Sequence, residues 1–146
     1  FGDGTLRSPL FVREIRPQGA EPQRLEAIVR RRNVVPKSVI ATMREVARGV
    51  VHEEYGTAES ARVEGLSIAG KTGTAQVFGL KQDEEYKEEE ISKKLRDHAL
   101  FIAFAPVEDP QIAVAVIVEN GGHGGSTAAP MVRKVMDQYL IKAATP

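Results

Sequence analysis

Cysteine is absent from the sequence. Disulfides, zinc ribbons and thiol nucleophiles are therefore excluded. The redox compartment stays open, because a chain without cysteine is at home anywhere. A surplus of one charge sign is missing too: 20 Lys+Arg oppose 20 Asp+Glu, for a formal net charge of zero. Dedicated nucleic-acid binders carry a basic excess, so no nucleic-acid partner is expected. No apolar run approaches the ~18 residues of a membrane span, and no secretory signal pattern is found. The start at Phe1 rather than methionine leads us to expect chain removed upstream. Internal repeats and low-complexity tracts are also lacking.

What is present suits a soluble globular chain. Hydrophobic residues make up 42% and charged residues 27% of the sequence, an ordinary balance that argues against wholesale disorder. The length of 146 residues leaves room for one domain, or a large piece of one. A chain of this size buries roughly two thirds of its unfolded surface, enough for a real core.

The first 35 residues are mixed. Gly2-Asp3-Gly4 is a turn signal, Leu10 to Ile15 reads as a short edge strand, and Pro17, Gly19 and Pro22 break the chain. Arg24 and Arg30-Arg31-Arg32 form a basic cluster, diluted by Glu14, Glu21 and Glu26 and read as a solvated face or loop. A helix is expected over 36–51. Val39, Met43, Val46 and Val50 recur at helical spacing with Ile40, Ala47 and Val51 beside them, and Pro36 suits the first turn. Gly56 should terminate the helix, with Thr57 capping a further short turn.

Residues 66–77, rich in Gly, Ser and Thr, read as a strand with close backbone approaches. Residues 79–97 are a charged excursion, expected to be loop with a short exposed helix. Two apolar runs follow, over 98–106 and 111–119. The connector Pro106-Val107-Glu108-Asp109-Pro110 is too short for a crossover helix, so these strands should be antiparallel neighbours. Neither run alternates apolar and polar residues, which implies that both sheet faces are covered, by helices. One cover is a C-terminal helix over 127–141, with Met131, Val132, Val135, Met136, Tyr139 and Leu140 as its apolar stripe.

Several short motifs compete for chemistry. Gly65-Leu66-Ser67-Ile68-Ala69-Gly70-Lys71-Thr72 fits the phosphate-binding pattern G-x-x-x-x-G-K-[ST]. That loop needs a buried strand before it and a helix after it. Here Ser60-Ala61-Arg62-Val63-Glu64 is too polar and Thr72-Gly73-Thr74-Ala75-Gln76-Val77 is a poor helix start. Gly124-Gly125-Ser126-Thr127-Ala128 nearly matches the nucleophile elbow, but no histidine follows it, and Ser126 or Thr127 reads better as a helix N-cap. His52-Glu53 begins like a zinc protease motif, but Gly56 stands where the second histidine belongs. His52, His98 and His123 are too scattered for a metal site, and no cofactor is implied.

Lys71 has a better explanation. Ala69-Gly70-Lys71-Thr72-Gly73-Thr74-Ala75-Gln76 resembles the K-T-G motif of the penicillin-binding transpeptidases. The flanks agree: Gly56-Thr57-Ala58, Phe101 to Pro106 and Val118-Glu119-Asn120-Gly121. Phe78-Gly79-Leu80-Lys81 and Arg96-Asp97-His98 are similar to the elongation-specific class B subfamily, of penicillin-binding protein 2 type. The resemblance covers essentially the whole chain, most specifically 56–141.

This resemblance implies the C-terminal portion of a transpeptidase domain over 1–146, with the nucleophile-bearing part upstream. The activity implied is a serine-type D,D-transpeptidase that cross-links peptidoglycan stem peptides through an acyl-enzyme and binds β-lactam antibiotics. Lys71 then offers a fixed positive charge to the carboxylate of a stem peptide or β-lactam. Thr72 and Thr74 add hydroxyl donors, and Gly73 lets the substrate backbone approach closely. The Thr74 backbone N–H is one half of an oxyanion hole, and the substrate lies along the strand as an added strand. The family also implies a periplasmic site on the bacterial inner membrane, an anchor upstream of this chain, and work with the elongation machinery of the cell wall.

The departures are as specific. None of the six serines has lysine three residues on or asparagine two residues on, so S-x-x-K and S-x-N are both missing. No catalytic nucleophile is assigned to this chain, which is expected to be inactive alone. Two other readings stand beside this one: a noncatalytic domain binding cell-wall peptide or a partner protein, and the P-loop nucleotide binder. The fold expected is α/β (α+β), an antiparallel sheet of at least three strands covered by helices. Strands lying outside this sequence would leave an apolar face open or call for a partner chain.

Overall fold

The structure, a computed structural model, describes residues 3–77 and 92–142. It falls into two compact units, residues 1–43 and 44–146.

In the first unit, two small antiparallel ladders carry the chain. Strand β1 (Leu6–Arg7) pairs with β4 (Val29–Arg31), and β2 (Glu14–Ile15) pairs with β3 (Gln23–Arg24). The strand expected over 10–15 is thus only its last two residues, and part of the basic cluster read as loop is strand β4. These pairs are held largely by exposed polar contacts. Asp3 accepts two bonds from the Arg7 guanidinium, at 3.1 and 3.2 Å, and Glu14 accepts from both Arg16 and Arg24. Arg30 Nε donates to Ser8 Oγ at 2.6 Å. Two arginines of the cluster, Arg24 and Arg30, are therefore solvated and partnered, as a surface face would be. Phe11 is left 94% exposed.

Helix α1 (Lys37–His52) starts just after Pro36, where the missing proline N–H costs nothing. Its buried positions are Ala47 and Val51. The expected stripe is only partly used: Val39, Met43 and Val46 are exposed. Gly56 closes the helix end, its N–H bonding the Glu53 carbonyl at 3.0 Å. The Arg62 guanidinium returns to the same end and donates to the carbonyls of Val51, His52 and Glu53 at 2.7, 2.8 and 2.9 Å. Those carbonyls have no intrahelical partner, and a cation there also complements the helix dipole.

The second unit is built on one antiparallel sheet in the order β5-β6-β7, with β5 at Ala69–Ala75, β6 at His98–Ala105 and β7 at Ile112–Val118. All three expected strands are there, with slightly shorter bounds. Residues that oppose each other share a face. Ala99, Phe101, Ala103 and Ala105 of β6 join Val114 and Val116 of β7 on one face. Helix α2 (Ala129–Met136) covers this face through the fully buried Val132 and Met136, with Ile68 and Ala61 completing the core. Burying an Ile, Val or Met here is worth roughly 1.5–3 kcal/mol each.

The opposite face departs from expectation. Phe104 packs with Ala47, Ala69 and Val107 at one end. Beyond it, Ile102 is 54% and Ile117 66% exposed. β7 therefore alternates in burial although its sequence does not. Helices cover one face, and the other only at one end, among the described residues.

The C-terminal helix is not uniform. A π-turn at Gly124–Ala128 leads into α2, and a second at Asp137–Lys142 follows it. Its predicted stripe splits accordingly: Val132 and Met136 are buried, whereas Met131, Val135 and Tyr139 are exposed. Of the charged excursion, Lys93–Leu95 is a 3-10 turn, and residues 79–91, where the rest of the loop and helix is expected, lie outside the described residues.

Candidate functional site

The consecutive candidates Lys71, Thr72, Gly73 and Thr74 all lie on β5. This strand pairs with β6 on one side, and its other edge carries no strand among the described residues. Thr72 opposes Phe101 and Thr74 opposes Ala99, whereas Lys71 opposes Ile102 and Gly73 opposes Leu100. The threonines thus share the α2 face, and the lysine lies on the open one. Lys71 and Thr74 are exposed, and Thr72 is half-buried. The Lys71 ammonium is held close to the backbone. It donates to the Thr72 carbonyl at 2.8 Å and stands 3.5 Å from Thr72 Oγ1.

Behind the strand, two loops meet. Thr57 Oγ1 lies 3.1 Å from Thr72 Oγ1. Ser60 Oγ donates to the Gly125 carbonyl at 2.5 Å. The Gly125 backbone sits so near Thr57 that a Cβ would overlap the Thr57 carbonyl oxygen. A Cβ on Gly124 would likewise overlap the Leu100 carbonyl and come within 2.8 Å of the Gly73 carbonyl. The glycine pair of Gly124-Gly125 therefore lets the π-turn press against Thr57 and the middle of β5. This explains both glycines by packing.

The lower end of β5 is stapled by polar groups. Ser67 Oγ accepts from the Val107 N–H at 3.1 Å and donates to Glu108 Oε2 at 2.5 Å. That hydroxyl bond holds the Glu108 carboxyl below its usual pKa, with the Arg48 charge adding to the effect. The Ile68 N–H donates to His52 Nε2 at 3.0 Å, which requires a lone pair on that nitrogen. Burial lowers the His52 pKa, and the nearby Arg48 and Arg62 charges add to the effect. The ring is held in the neutral form that the amide bond needs.

The upper end is fixed by the turn after β7. Asn120 adopts a left-handed conformation, φ 54°. Its Nδ2 donates to the Lys94 and Arg96 carbonyls at 3.1 and 2.9 Å, and its N–H donates to His98 Nδ1 at 2.9 Å. Gly122 N–H bonds the Asp97 carbonyl at 2.9 Å, and the buried Asp97 accepts the Val77 N–H at 3.2 Å. This ties the end of β5 to the start of β6.

Two cap expectations fail here for visible reasons, and the phosphate-loop pattern, which its flanks argue against, finds no support. Lys71 is the third residue of a strand that runs on to Ala75, so no helix N-terminus stands ready for a phosphate. Thr57 does not cap the 3-10 turn at Glu59–Ala61, whose N-cap is Ala58, because its hydroxyl meets Thr72 instead. Ser126 and Thr127 are not N-caps either. Their hydroxyls donate backwards to the His123 and Gly121 carbonyls, at 3.2 and 2.8 Å. His52 and His98 each accept a backbone N–H, a structural duty. The sequence marks Thr57 only through the flank Gly56-Thr57-Ala58 and does not mark Ser60, since nothing local in sequence shows a contact with β5 or with the π-turn.

A cation, hydroxyl groups and an open strand edge are the equipment for holding an extended peptide by its carboxylate. Comparison with known proteins agrees with that chemistry. Residues 1–137 match the penicillin binding protein transpeptidase domain family. The peptidoglycan D,D-transpeptidase MrdA of Haemophilus influenzae is 50% identical over 92 residues, 62% of this chain and 14% of that protein. Penicillin-binding protein A of M. tuberculosis, solved as a ceftriaxone acyl-enzyme complex, superposes with a TM-score of 0.69 at 31% identity, over 94% of this chain and 29% of that one. The PBP2 of Helicobacter pylori, solved in complex with MreC, gives a TM-score of 0.54 at 29% identity, over 72% of this chain and 18% of that one. The chain thus spans about a seventh of the curated relative's length. With a match over nearly all its residues, the chain belongs to the penicillin-binding protein transpeptidase domain family.

Proposed function

We propose that this chain is the C-terminal portion of the transpeptidase domain of an elongation-specific class B penicillin-binding protein, and that β5 is its substrate-binding strand. The observation that carries the reading is the Lys71 ammonium on an open strand, beside the Thr72 hydroxyl. The reaction is acyl transfer. A serine in an S-x-x-K motif outside this sequence attacks the carbonyl of a stem-peptide amide or of the β-lactam ring, its proton passes to a base, and the C–N bond breaks as the amine nitrogen takes up a proton, leaving from the stem peptide or staying tethered in the opened lactam. The amine of a second stem peptide then attacks the ester carbonyl and gives up a proton, the new amide forms, and the serine oxygen leaves and is reprotonated.

This chain's share is to bind and orient. Lys71 and Thr72 hold the substrate carboxylate, Thr74 adds a second hydroxyl, and Gly73 leaves space for the substrate backbone. The Thr74 N–H is half of the oxyanion hole, where a preorganised donor favours the charge that develops on the carbonyl oxygen. The protein acts in the periplasm, held to the inner membrane by a segment outside this chain. Its partners include the rest of the domain and the elongation machinery, a reading supported by the Helicobacter relative solved with MreC.

The test is Lys71→Ala in the complete protein. Losing a charge-assisted bond of about 1.5–3 kcal/mol should slow acylation by a penicillin roughly ten- to hundredfold. Unchanged acylation would remove Lys71 from the site. A complete protein that forms no penicillin adduct at all would instead favour a noncatalytic peptide-binding domain, the reading that the missing S-x-x-K otherwise permits.

A further inference from the structure

We infer that Thr57 is a positioning residue for the carboxylate site: its hydroxyl sets the direction in which the Thr72 hydroxyl donates. The inference rests on the reading of β5 as the substrate-binding strand, and it concerns a residue fifteen positions away from Thr72.

Thr72 Oγ1 has one proton and two lone pairs. The Lys71 ammonium carries only donors, and it approaches one lone pair at 3.5 Å. Thr57 Oγ1 stands 3.1 Å away, and either hydroxyl could donate to the other. When Thr57 donates, both lone pairs of Thr72 face donors. The Thr72 proton is then turned away from both and is left to donate to a bound carboxylate. Without Thr57, the Thr72 hydroxyl is free to rotate, and part of its donor capacity is lost to other orientations. Preorganised donors bind more tightly because less ordering is needed at the moment of binding.

Thr57 is itself held in place. The next residue's amide, Ala58 N–H, bonds the Val50 carbonyl at 2.9 Å. The Thr57 carbonyl is pressed by Gly125, which leaves no room for a Cβ. Ser60 Oγ grips the Gly125 carbonyl at 2.5 Å from the same loop. The hydroxyl is thus presented by a clamped backbone, whereas a side chain serving only solubility would not need such support. A cap would explain a threonine after Gly56, but the neighbouring 3-10 turn has no side-chain cap.

The experiment uses the complete transpeptidase with Thr57→Val, Thr57→Ser, Thr72→Val and the Thr57→Val/Thr72→Val pair. The readout is penicillin acylation, separated into noncovalent binding and the chemical step, with thermal unfolding in parallel. Thr57→Val should weaken the binding step by about tenfold, and Thr57→Ser should restore it. In the Thr72→Val background Thr57→Val should have no further effect, because there is no hydroxyl left to orient. Full binding in Thr57→Val, or an undiminished effect in the Thr72→Val background, would overturn the inference while leaving β5 as the substrate strand. If Thr72→Val itself acylates normally, the reading of β5 fails and this inference fails with it.

Discussion

A Cβ on Gly70 would stand 2.6 Å from Phe101 Cζ. Phe101 is fully buried, so its ring has nowhere to retreat. The glycine before Lys71 is therefore required by the packing of the sheet. Gly73, three residues on, differs: its added Cβ would meet Leu100 Cβ at 3.3 Å, a contact that a small shift relieves. The two glycines of one motif thus answer to different demands, the core for Gly70 and the open side of β5 for Gly73.

The two alanine substitutions should separate accordingly. Gly70→Ala should destabilise the domain by about 1–3 kcal/mol, the usual cost of overpacking. Gly73→Ala should unfold within about 1 kcal/mol of the parent yet acylate more slowly, because the methyl group occupies space that the substrate backbone needs. Chemical denaturation and penicillin acylation of the complete protein check both. A Gly73→Ala protein that acylates at the parental rate would show that no substrate backbone approaches there.

Stability should fall on acidification through His52. Its pKa is lowered in the folded state, by burial first and then by Arg48 and Arg62. The unfolded imidazole, near its ordinary value of about 6.5, takes up its proton first as pH falls. The contribution is therefore complete above that value and is lost progressively below it, until the folded ring also protonates. Protonation at Nε2 would also break the bond from the Ile68 N–H. Glu108, whose charge reaches this ring, keeps that charge throughout most of that window, since its own pKa is also lowered. Urea midpoints measured from about pH 8 to about pH 5 should decline more steeply for the parent than for His52→Gln, which does not titrate. Parallel curves would rule His52 out as the source.

The Asn120 turn offers a test of what the segment after β7 contributes. Its side chain supplies two bonds to the carbonyls of Lys94 and Arg96, and its backbone is left-handed. Asn120→Gly keeps the backbone freedom and loses only the side-chain bonds, so it should cost about 1–2 kcal/mol. Asn120→Ala loses those bonds and adds left-handed strain, so it should cost roughly 1 kcal/mol more. Thermal unfolding of the pair orders them. The reverse order would show that the backbone is not left-handed in solution.

The same residues show what a sequence makes legible. β6 and β7 are unbroken apolar runs with a short connector, and their antiparallel pairing follows from chain length alone. Lys71 to Thr74 could be found because a motif is local. Thr57 and Arg62 could not, because their partners lie on other elements. The periodicity of α1 marks it as helix, but Val39, Met43 and Val46 have the same spacing as the residues that are buried. Which side packs is decided by neighbours such as Phe104, which sequence periodicity does not contain. Of the ladders β1–β4 and β2–β3, only β2 lies within an expected strand, and the other three are illegible for a different reason. Pairs such as Glu14–Ile15 with Gln23–Arg24 are too short and too polar for any alternation to register.

Arg62 links the helix end to the site. Its three bonds to the carbonyls of Val51 and His52 in α1 and of Glu53 just beyond it hold the turn that presents Thr57. A lysine keeps the charge but has no planar fork to serve several carbonyls at fixed angles. Arg62→Lys should therefore keep the favourable dipole interaction, lose part of the bonding and cost about 1 kcal/mol, with Arg62→Ala costing about 1–3 kcal/mol. The local consequence is the sharper prediction. Hydrogen exchange at the Gly56 and Ala58 amides, bonded to Glu53 and Val50, should accelerate in Arg62→Lys by more than that of the Ile68 amide, which rests on His52. Equal acceleration at all three would mean that Arg62 stabilises the fold globally and does not hold the Thr57 turn in particular.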